Sequence, residues 1–256
     1  MTENIDTKTK NTDNEHTFTT IKAKPVKLKD DYNFFSRKWY FLIFTPIFVF
    51  FLKIFIRFLY APIFLGFKVK GKKKLRSYKK EGHIFIANHI HPMDSYILGS
   101  LIFPKKVHFT MLESNLGLPL IGKIMRFSGG VPIPSKRDQI PIFEKEMKAV
   151  LDKKHFVGIF PEAALKPYHP SIRNFKRGAF RFALNANVAI IPMVFVLKEP
   201  TGIYKLYKRK PTFELHILDR YIMDKKSSKR ETIIYHTNNL EKIVSTYFDE
   251  HSTIRR

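Results

Sequence analysis

Residues 83–94 read HIFIANHIHPMD, an apolar run that passes directly into a polar turn. The first five residues, His83–Ala87, have the short length and the β-branched and aromatic content of a buried strand. Pro92 suits the first turn of a helix, because its fixed φ is helical and the amide hydrogen it lacks has no partner there. The stretch therefore predicts a strand, a loop that contains His89, and a helix that begins near Asp94.

The alternation of strand and helix continues toward the C-terminus. Apolar, β-rich runs predict strands at Val107–Leu112, 156–160 and 188–196. Amphipathic spacing predicts one helix around residues 143–151, a short helix at 178–187 and a last helix near the C-terminus. The apolar positions of the first are Phe143, Met147, Val150 and Leu151, and those of the last are Ile233, Thr237, Leu240, Val244 and Phe248. This order predicts an α/β fold, a mostly parallel mixed sheet flanked by helices.

An apolar segment precedes this region. Residues 39–67 carry only two charges, Lys53 and Arg57. The uninterrupted apolar part, 39–52, is shorter than the roughly 20 residues of a simple transmembrane helix. Two apolar helices hinged near these charges and dipping into one leaflet fit the segment as well as a tilted span does, since Lys and Arg side chains can reach back to the headgroups. A buried core helix is the remaining alternative.

The charge of the chain indicates what it binds. The net charge is +24 and the pI is near 10, which favours nucleic acid, anionic lipid or an anionic substrate. Eight basic residues lie within 68–80, directly after the apolar segment. Such a cluster marks the cytoplasmic side of a membrane, and each residue adds about 1 kcal/mol of attraction to anionic headgroups. We therefore expect a protein at the cytoplasmic face of the cell membrane.

Composition divides the chain into three parts. These are a disordered polar tail over 1–30, a membrane-associated helical segment over 31–70, and an α/β domain over 71–256. The tail lacks the basic start and short apolar core of a secretory signal peptide. The chain has no cysteine, which excludes disulfides, thiolate catalysis and cysteine zinc sites.

His89 and Asp94 have the spacing of a base and the carboxylate that orients it. Asp94, in or near the first helical turn, can bond one ring nitrogen of His89 and leave the other free to take a proton. This is the His–Asp half of a catalytic triad, with a substrate hydroxyl in place of the serine. The alternative is a histidine that caps a turn and an aspartate at a helix start, both of which are common.

Three further segments carry residue types that bind polar substrates. A glycine pair at 129–130 leads through a short extended segment to Lys136 and Arg137, which could hold a phosphate or be solvated charges beside an edge strand. Glu162, in FPEAALKP at 160–167, follows a strand at the end where ligand crevices of α/β sheets open, although a helix-start glutamate is as ordinary. Pro192 inside an apolar strand predicts an edge or a bulge.

In this order, the four segments resemble the glycerolipid acyltransferase family, of the bacterial 1-acylglycerol-3-phosphate acyltransferase type. Residues 88–94 match its N-H-x4-D motif, and Gly130–Ile133 match the start of its second motif. FPE at 160–162 matches the third motif, and Ile-Pro at 191–192 the fourth. The resemblance covers roughly 71–220.

The resemblance implies an O-acyltransferase in phospholipid biosynthesis that moves a fatty acyl group onto the hydroxyl of a lysophospholipid, most simply 1-acylglycerol-3-phosphate. His89 is then the base and Asp94 its orienting partner. No metal or bound cofactor is expected, and the acyl donor is a coenzyme A or acyl carrier protein thioester. Membrane lipids are the expected partners, with acyl carrier protein as a candidate and no nucleic acid. The expected substrate-binding residues are Asn88, Gly130, Lys136, Arg137, Glu162 and Lys166.

Two arginines that the family pattern carries are absent. Ser135 stands where the second motif usually ends in arginine, and Leu165 stands where the third usually has one. Both arginines are expected to hold the acceptor's phosphate in the family. The basic residues that could replace them are Arg137, Lys166, Arg173 and Lys176.

Three alternatives remain open from the sequence. One is an acyltransferase that acts on another lysolipid or on a glycan hydroxyl. Another is a basic nucleic-acid-binding protein, although the chain shows no helix-turn-helix, zinc-finger or RNP-like pattern. The third is a catalytically inactive membrane adaptor, against which the retained His89 and Asp94 speak. A membrane enzyme would stay with membranes through a nuclease wash, whereas a nucleic-acid binder would be released.

Overall fold

A computed structural model describes residues 23–35, 39–78, 80–102 and 105–254, the side chains of 40–42 excepted. Its centre is a sheet of seven strands in the order β1-β7-β6-β2-β5-β3-β4. All neighbouring strands run parallel except β6 and β7. The strands are β1 Lys68–Lys70, β2 His83–Ala87, β3 Val107–Leu112, β4 Gly130–Ile133, β5 Phe156–Ile159, β6 Ile190–Lys198 and β7 Thr212–Ile217. The predicted α/β fold with a mostly parallel mixed sheet is confirmed.

Helices cover the sheet and connect its strands. Their bounds are α1 Trp39–Phe55, α2 Ala61–Leu65, α3 Lys72–Tyr78, α4 Asp94–Ile102, α5 Ile121–Phe127, α6 Ile140–Asp152, α7 Gly178–Ala186, α8 Tyr204–Tyr207 and α9 Lys229–His251, with short 3₁₀ turns at Glu113–Gly117 and Arg137–Gln139. The apolar faces predicted for α6 and α9 are buried against the sheet. A side-chain cap from Ser228 to the amide of Glu231 begins α9, as expected for serine at that position.

Two strands at one side of the sheet have no counterpart in the predictions. In β1, Lys68 and Lys70 are exposed on either side of Val69, so the strand reads as part of a charge run. In β7, Glu214 and His216 interrupt the apolar pattern. Lys70 pairs with Glu214 at 2.9 Å across the two strands. Residues 68–70, which the sequence assigns to the anchoring segment, therefore belong to the sheet.

The N-terminal boundary predicted from composition also shifts. Residues 1–22 of the predicted tail lie outside the described residues, but residues 23–30 pack on the domain. Leu28 is buried and its amide donates to the Glu113 carboxylate, while the amide of Lys24 donates to the carbonyl of Gly117 at 3.0 Å. Phe34 is buried edge-to-face against Phe143 of α6. The tail prediction is thus wrong for 23–30.

The apolar segment forms one continuous helix instead of two hinged ones. A π-helical turn, Ile56–Tyr60, joins α1 to α2, close to where the sequence places a hinge. Such turns widen the helix locally without breaking it. By length and composition, Ile43–Leu65 is able to cross a membrane. Gly66 ends the helix with φ of +61°, and a Cβ there would lie 2.6 Å from Thr212, so this position requires glycine.

Pro192 lies in β6, an interior strand, so an edge position is excluded. Met193 pairs with Ile217 of β7, and Ile190 pairs with Tyr221, which follows β7. Between these two pairs the chain advances three residues in β6 but four residues on the partner side. One extra residue is accommodated opposite the proline, as in a β-bulge. The carbonyl of Pro192 still accepts from the amide of Leu218 at 3.0 Å.

Candidate functional site

His89 and Asp94 form a hydrogen-bonded pair at the carboxyl end of β2. His89 Nδ1 lies 3.0 Å from Asp94 Oδ2. The same oxygen accepts the backbone amides of Ile90 and His91, both at 2.8 Å. Asp94 is fully buried, whereas the side chain of His89 is 21% exposed. A carboxylate held by three donors fixes the imidazole so that Nε2 is the nitrogen available to a proton.

The loop that carries His89 is fastened on both sides. Asn88 is buried, and its side chain both donates to the carbonyl of Phe195 at 2.9 Å and accepts from its amide at 2.8 Å. On the other side, Glu162 Oε2 accepts the amide of His89 at 3.2 Å. The carbonyl of His89 accepts from the amide of Lys166 at 3.2 Å. The first and third sequence motifs therefore meet here.

Aromatic rings set the plane of the imidazole. His89 stacks on Phe160, with ring centroids 4.1 Å apart and planes 15° apart. Phe160 in turn stacks with Phe109 of β3 at 6.1 Å. A ring held between a carboxylate and an aromatic face has few orientations open to it, so the imidazole of His89 is preorganised.

His91 occupies a different environment from His89. Its Nδ1 accepts the amide of Met93 at 3.2 Å, and its ring contacts Tyr168 and Phe213 edge-on. Burial lowers the pKa of His91. One ring nitrogen is therefore engaged by the backbone and the ring is turned toward β7, which makes His91 the poorer candidate for a base.

An apolar cavity of about 1320 Å³ opens at His89. This exceeds the roughly 300–1,000 Å³ of ordinary small-molecule pockets. One wall is the inner face of α1 and its extension, and the others come from β3, α5, α6 and α7. Lining residues include Val49, Ile56, Phe109, Met111, Ile124 and Phe182. The cavity has the size and lining to take a long hydrocarbon chain.

His108 lies in the cavity wall. Its ring packs edge-on against Phe35 at 5.0 Å. Burial, followed by the charges of His155 if protonated and of Lys106, lowers the pKa of His108 to about 3. The side chain is therefore neutral at physiological pH, as an apolar cavity requires.

The second motif lies on β4 and in the loop that follows it. Gly130 is buried in β4, and a Cβ there would come 2.7 Å from the carbonyl of Met125. Lys136 is exposed and pairs with Asp30 at 2.5 Å, and Arg137 is exposed at the start of a 3₁₀ turn. Two strands separate β4 from β2, which places its end about 14 Å from the end of β2. Gly130 and Ile133 line the same cavity as His89, whereas Lys136 and Arg137 are not among its lining residues.

Ser135, at the position where the second motif usually has arginine, makes a hydrogen bond within the protein. The amide of Ser135 donates to Glu113 Oε2 at 2.8 Å. Burial alone would raise the pKa of Glu113, but hydrogen bonds from Ser135 and Leu28 outweigh it and hold that pKa below its usual range. Glu113 thus ties the Ser135 loop to the N-terminal segment.

An arginine from outside the third motif, Arg173, binds residues of that motif. Arg173 Nη2 donates to Glu162 Oε2 at 2.7 Å and also to the carbonyl of Ala164, and the amide of Arg173 donates to Glu162 Oε1 at 3.0 Å. Nη2 of its guanidinium is therefore bound within this turn, while Nε has no partner among the described residues. Lys166 is exposed beside the His89 loop, and Lys176 lies at the cavity rim.

Sequence reasoning missed the structural partners of the site. The contacts of Asn88 with Phe195 and of Glu162 with Arg173 join residues 107 and 11 positions apart. No local pattern signals the first of these. The second has a signal, because a buried glutamate needs a cationic partner and Arg173 is a nearby arginine.

Comparison with known proteins gives consistent results. A family model described as Acyltransferase matches residues 66–196. The chain is 33% identical over 134 residues to a 1-acyl-sn-glycerol-3-phosphate acyltransferase of Saccharomyces cerevisiae, covering 51% of this chain and 43% of the yeast protein. It is 30% identical over 115 residues to a chloroplastic 1-acyl-sn-glycerol-3-phosphate acyltransferase of Arabidopsis thaliana, covering 44% and 31%. The chain thus spans less than half the length of these two relatives.

The fold is also similar to a solved structure. The crystal structure of the 1-acyl-sn-glycerophosphate acyltransferase PlsC from Thermotoga maritima superposes with a TM-score of 0.57 over 83% of each chain, at 20% identity. At this identity the likeness concerns the fold, including the placement of helices around the sheet.

Proposed function

The chain belongs to the acyltransferase family, and from that premise we propose that it transfers a fatty acyl group from a thioester donor to the hydroxyl of a lysophospholipid. The acceptor proposed is 1-acylglycerol-3-phosphate and the product phosphatidate, as the names of its relatives suggest. The donor is a thioester of coenzyme A or of acyl carrier protein.

The observation that carries this proposal is a preorganised histidine in the wall of a large apolar cavity. His89 is held by Asp94 at 3.0 Å and stacked on Phe160. A fatty acyl chain in the cavity would present its thioester at the mouth, beside this base. General-base catalysis needs the base within hydrogen-bond reach of the proton that it removes.

The residues of this chain perform a direct transfer. His89 Nε2 takes the proton of the acceptor hydroxyl while that oxygen attacks the thioester carbonyl carbon. Asp94 stabilises the resulting imidazolium through Nδ1. Collapse of the tetrahedral intermediate breaks the carbon–sulfur bond, and the imidazolium returns its proton to the leaving thiolate. The base ends the cycle neutral, with an ester and a free thiol as products.

The acceptor's charged group would meet Lys166 first. Lys166 adjoins the backbone of His89, whereas Arg137 follows a strand about 14 Å away. A lysine holds a phosphate as a point charge, without the bidentate geometry of arginine. This difference favours a second candidate as well, an acceptor whose hydroxyl lies on another lysolipid or a glycan. Such an acceptor does not need a phosphate monoester to be held by arginine.

We propose that the helix of residues 39–65 lies in one leaflet, at the cytoplasmic face of the cell membrane. Support comes from its contacts: Phe48 meets Phe127 of α5 at 5.4 Å between centroids, and Arg57 donates to the carbonyl of Ser100 in α4 at 3.4 Å. The helix therefore runs along the domain instead of away from it. Its other face exposes large apolar side chains, among them Ile43, Ile47, Phe51 and Phe58, which lipid would cover.

The test is a product analysis with purified full-length protein in lipid nanodiscs. Wild type and His89→Ala are incubated with a panel of lysolipids, with and without phosphate monoester headgroups, and with both thioester donors. Products are identified by mass. Phosphatidate formed by wild type and not by the variant supports the proposal.

Other outcomes separate the alternatives. A product formed only from phosphate-free acceptors would replace the proposed acceptor while keeping acyl transfer. A well-folded protein that forms no ester from any donor and acceptor would refute the enzymatic proposal.

A further inference from the structure

We propose that residues 202–210, which connect β6 to β7, form a second membrane-inserting element that enters the headgroup region of an anionic bilayer beside the end of the apolar helix. The segment contains α8, Tyr204–Tyr207. Nothing in the four sequence motifs involves it, and the inference does not depend on the reaction that the enzyme catalyses.

The tip of the segment is apolar and exposed. Leu206 is 86% exposed and Ile203 is 68% exposed. Tyr207 is also exposed, and the three side chains lie within five residues of one another. Adjacent exposed apolar side chains on a short helical turn are unfavourable in water, and they are typical of loops that enter a membrane interface.

Three side chains of the segment bind the last turn of the apolar helix. Tyr204 donates its hydroxyl to the carbonyl of Pro62 at 2.9 Å, and Tyr207 donates to the carbonyl of Ile63 at 2.6 Å. Lys208 Nζ donates to the carbonyl of Phe64 at 2.7 Å.

Carbonyls in the last turn of a helix have no partner within the helix. They are costly to bury in lipid unless something else binds them. The carbonyl of Pro62 also accepts the amide of Gly66 at 3.1 Å. Tyr207 and Lys208 supply partners for the carbonyls of Ile63 and Phe64, and Lys208 adds a cation at the negative end of the helix dipole. The helix end and the segment therefore form one unit at the same depth.

The charges of the segment fit a bilayer surface. Lys205, Arg209 and Lys210 are exposed around the apolar tip. Basic residues around an apolar tip favour anionic lipid, with about 1 kcal/mol per residue near the surface. Tyrosines at this boundary suit the interface because the ring is apolar and the hydroxyl polar.

A bilayer is favoured over a protein partner because the exposed tip is continuous with the lipid-facing side of the helix. Ile63 and Phe64, whose carbonyls the segment binds, are themselves exposed. A protein that covered the tip would have to cover the neighbouring helix face as well. Lipid covers both surfaces without specific complementarity.

The absence of cysteine makes a direct test simple. Leu206→Cys is labelled with an environment-sensitive fluorophore in the full-length protein and bound to phosphatidylcholine–phosphatidylglycerol vesicles. The matched control is Ile222→Cys, because Ile222 is 61% exposed and follows Tyr221, which pairs with the first residue of β6, at the end of that strand opposite to the segment. Lipids with a nitroxide near the headgroup serve as the quencher.

The label at position 206 should shift to shorter wavelength and be strongly quenched, and the label at position 222 should change in neither respect. Replacing Lys205, Arg209 and Lys210 by glutamine should reduce quenching at 206 on anionic vesicles. A blue shift at position 206 without quenching, whether a nanodisc holds one copy of the protein or several, would mean that protein and not lipid covers the tip. That result, or equal behaviour at both positions, overturns the proposal. Either outcome leaves the acyltransferase assay unaffected as a separate test.

Discussion

Asp94→Asn tests how the carboxylate acts on His89. Two backbone amides, of Ile90 and His91, converge on the same oxygen that meets His89 Nδ1. Because both are fixed donors, the asparagine must place its carbonyl oxygen there. Its amide group then takes the position of Oδ1, which is buried and has no partner among the described residues. The imidazole should therefore keep its tautomer, with Nε2 as the acceptor.

What the variant loses is the negative charge that stabilises the imidazolium. A hydrogen bond to a charged group contributes about 1.5–3 kcal/mol, which corresponds to about 10- to 150-fold in rate. A triad in which the same substitution gives the wrong tautomer loses about 10⁴-fold. We expect the smaller loss here, in kcat as well as in kcat/KM.

The assay is steady-state acyl transfer with a chromogenic thiol reagent, together with ¹⁵N NMR of the labelled histidine to identify the tautomer. Asp152→Asn is the matched control, since Asp152 is an exposed aspartate that pairs with Lys148 in the preceding turn of α6. A 10⁴-fold loss, or Nε2 carrying the hydrogen in the variant, would refute the argument from the converging amides. No loss at all would remove Asp94 from the mechanism.

Three further predictions concern the other histidines and the cations. His89→Ala should lower kcat by about 10²–10⁴-fold with the melting temperature preserved, and His91→Ala should cost much less; the opposite ranking in initial rates would move the base. Lys166→Ala should lower kcat/KM for the lysolipid by about 10- to 150-fold, whereas Arg137→Ala should change it little, and equal effects would contradict the strand separation. The pKa of His108 is about 3 in the folded state, and that of a histidine in an unfolded chain is about 6.5. His108 therefore makes its full contribution to the unfolding free energy above about pH 6.5. That contribution falls as pH drops toward 3, by about 1.4 kcal/mol per pH unit. Denaturant titrations at pH 7 and pH 4.5 should show a smaller fall for His108→Asn than for wild type.

Much of the fold follows from local sequence patterns. Strands β2 and β3 coincide with their predicted bounds because their residues are apolar and β-rich throughout. Strand β7 escaped prediction because Glu214 and His216 break that pattern. Glu214 pairs with Lys70 of β1 and His216 bonds Tyr247 of α9, and both contacts exist only in the folded domain. Local patterns describe what a segment does alone and miss charges that a neighbour compensates.

The candidate site, like the fold, was predictable from the sequence only in part. The spacing of His89 and Asp94 lies within one turn, so the sequence could predict their contact. Lys136 and Arg137 were expected at the substrate because a basic doublet after a glycine pair can hold a phosphate and because this segment resembles the family's second motif. Their role stays a prediction, and strand order sets how far β4 lies from β2. The order of strands depends on long-range packing, which one sequence without relatives does not reveal.

Asn88 has a consequence for how this site can vary. Its side-chain amide bonds both the N–H and the C=O of Phe195, as a backbone peptide group in a strand would. Asn88 therefore adds one pair of hydrogen bonds to β6 beyond the end of β2. Aspartate lacks the donor, and glutamine would push the loop out by a methylene. Alanine would leave two buried backbone groups unpaired, at about 1–3 kcal/mol each. A saturation library at this position should therefore return asparagine almost alone, even under selection for folding without catalysis.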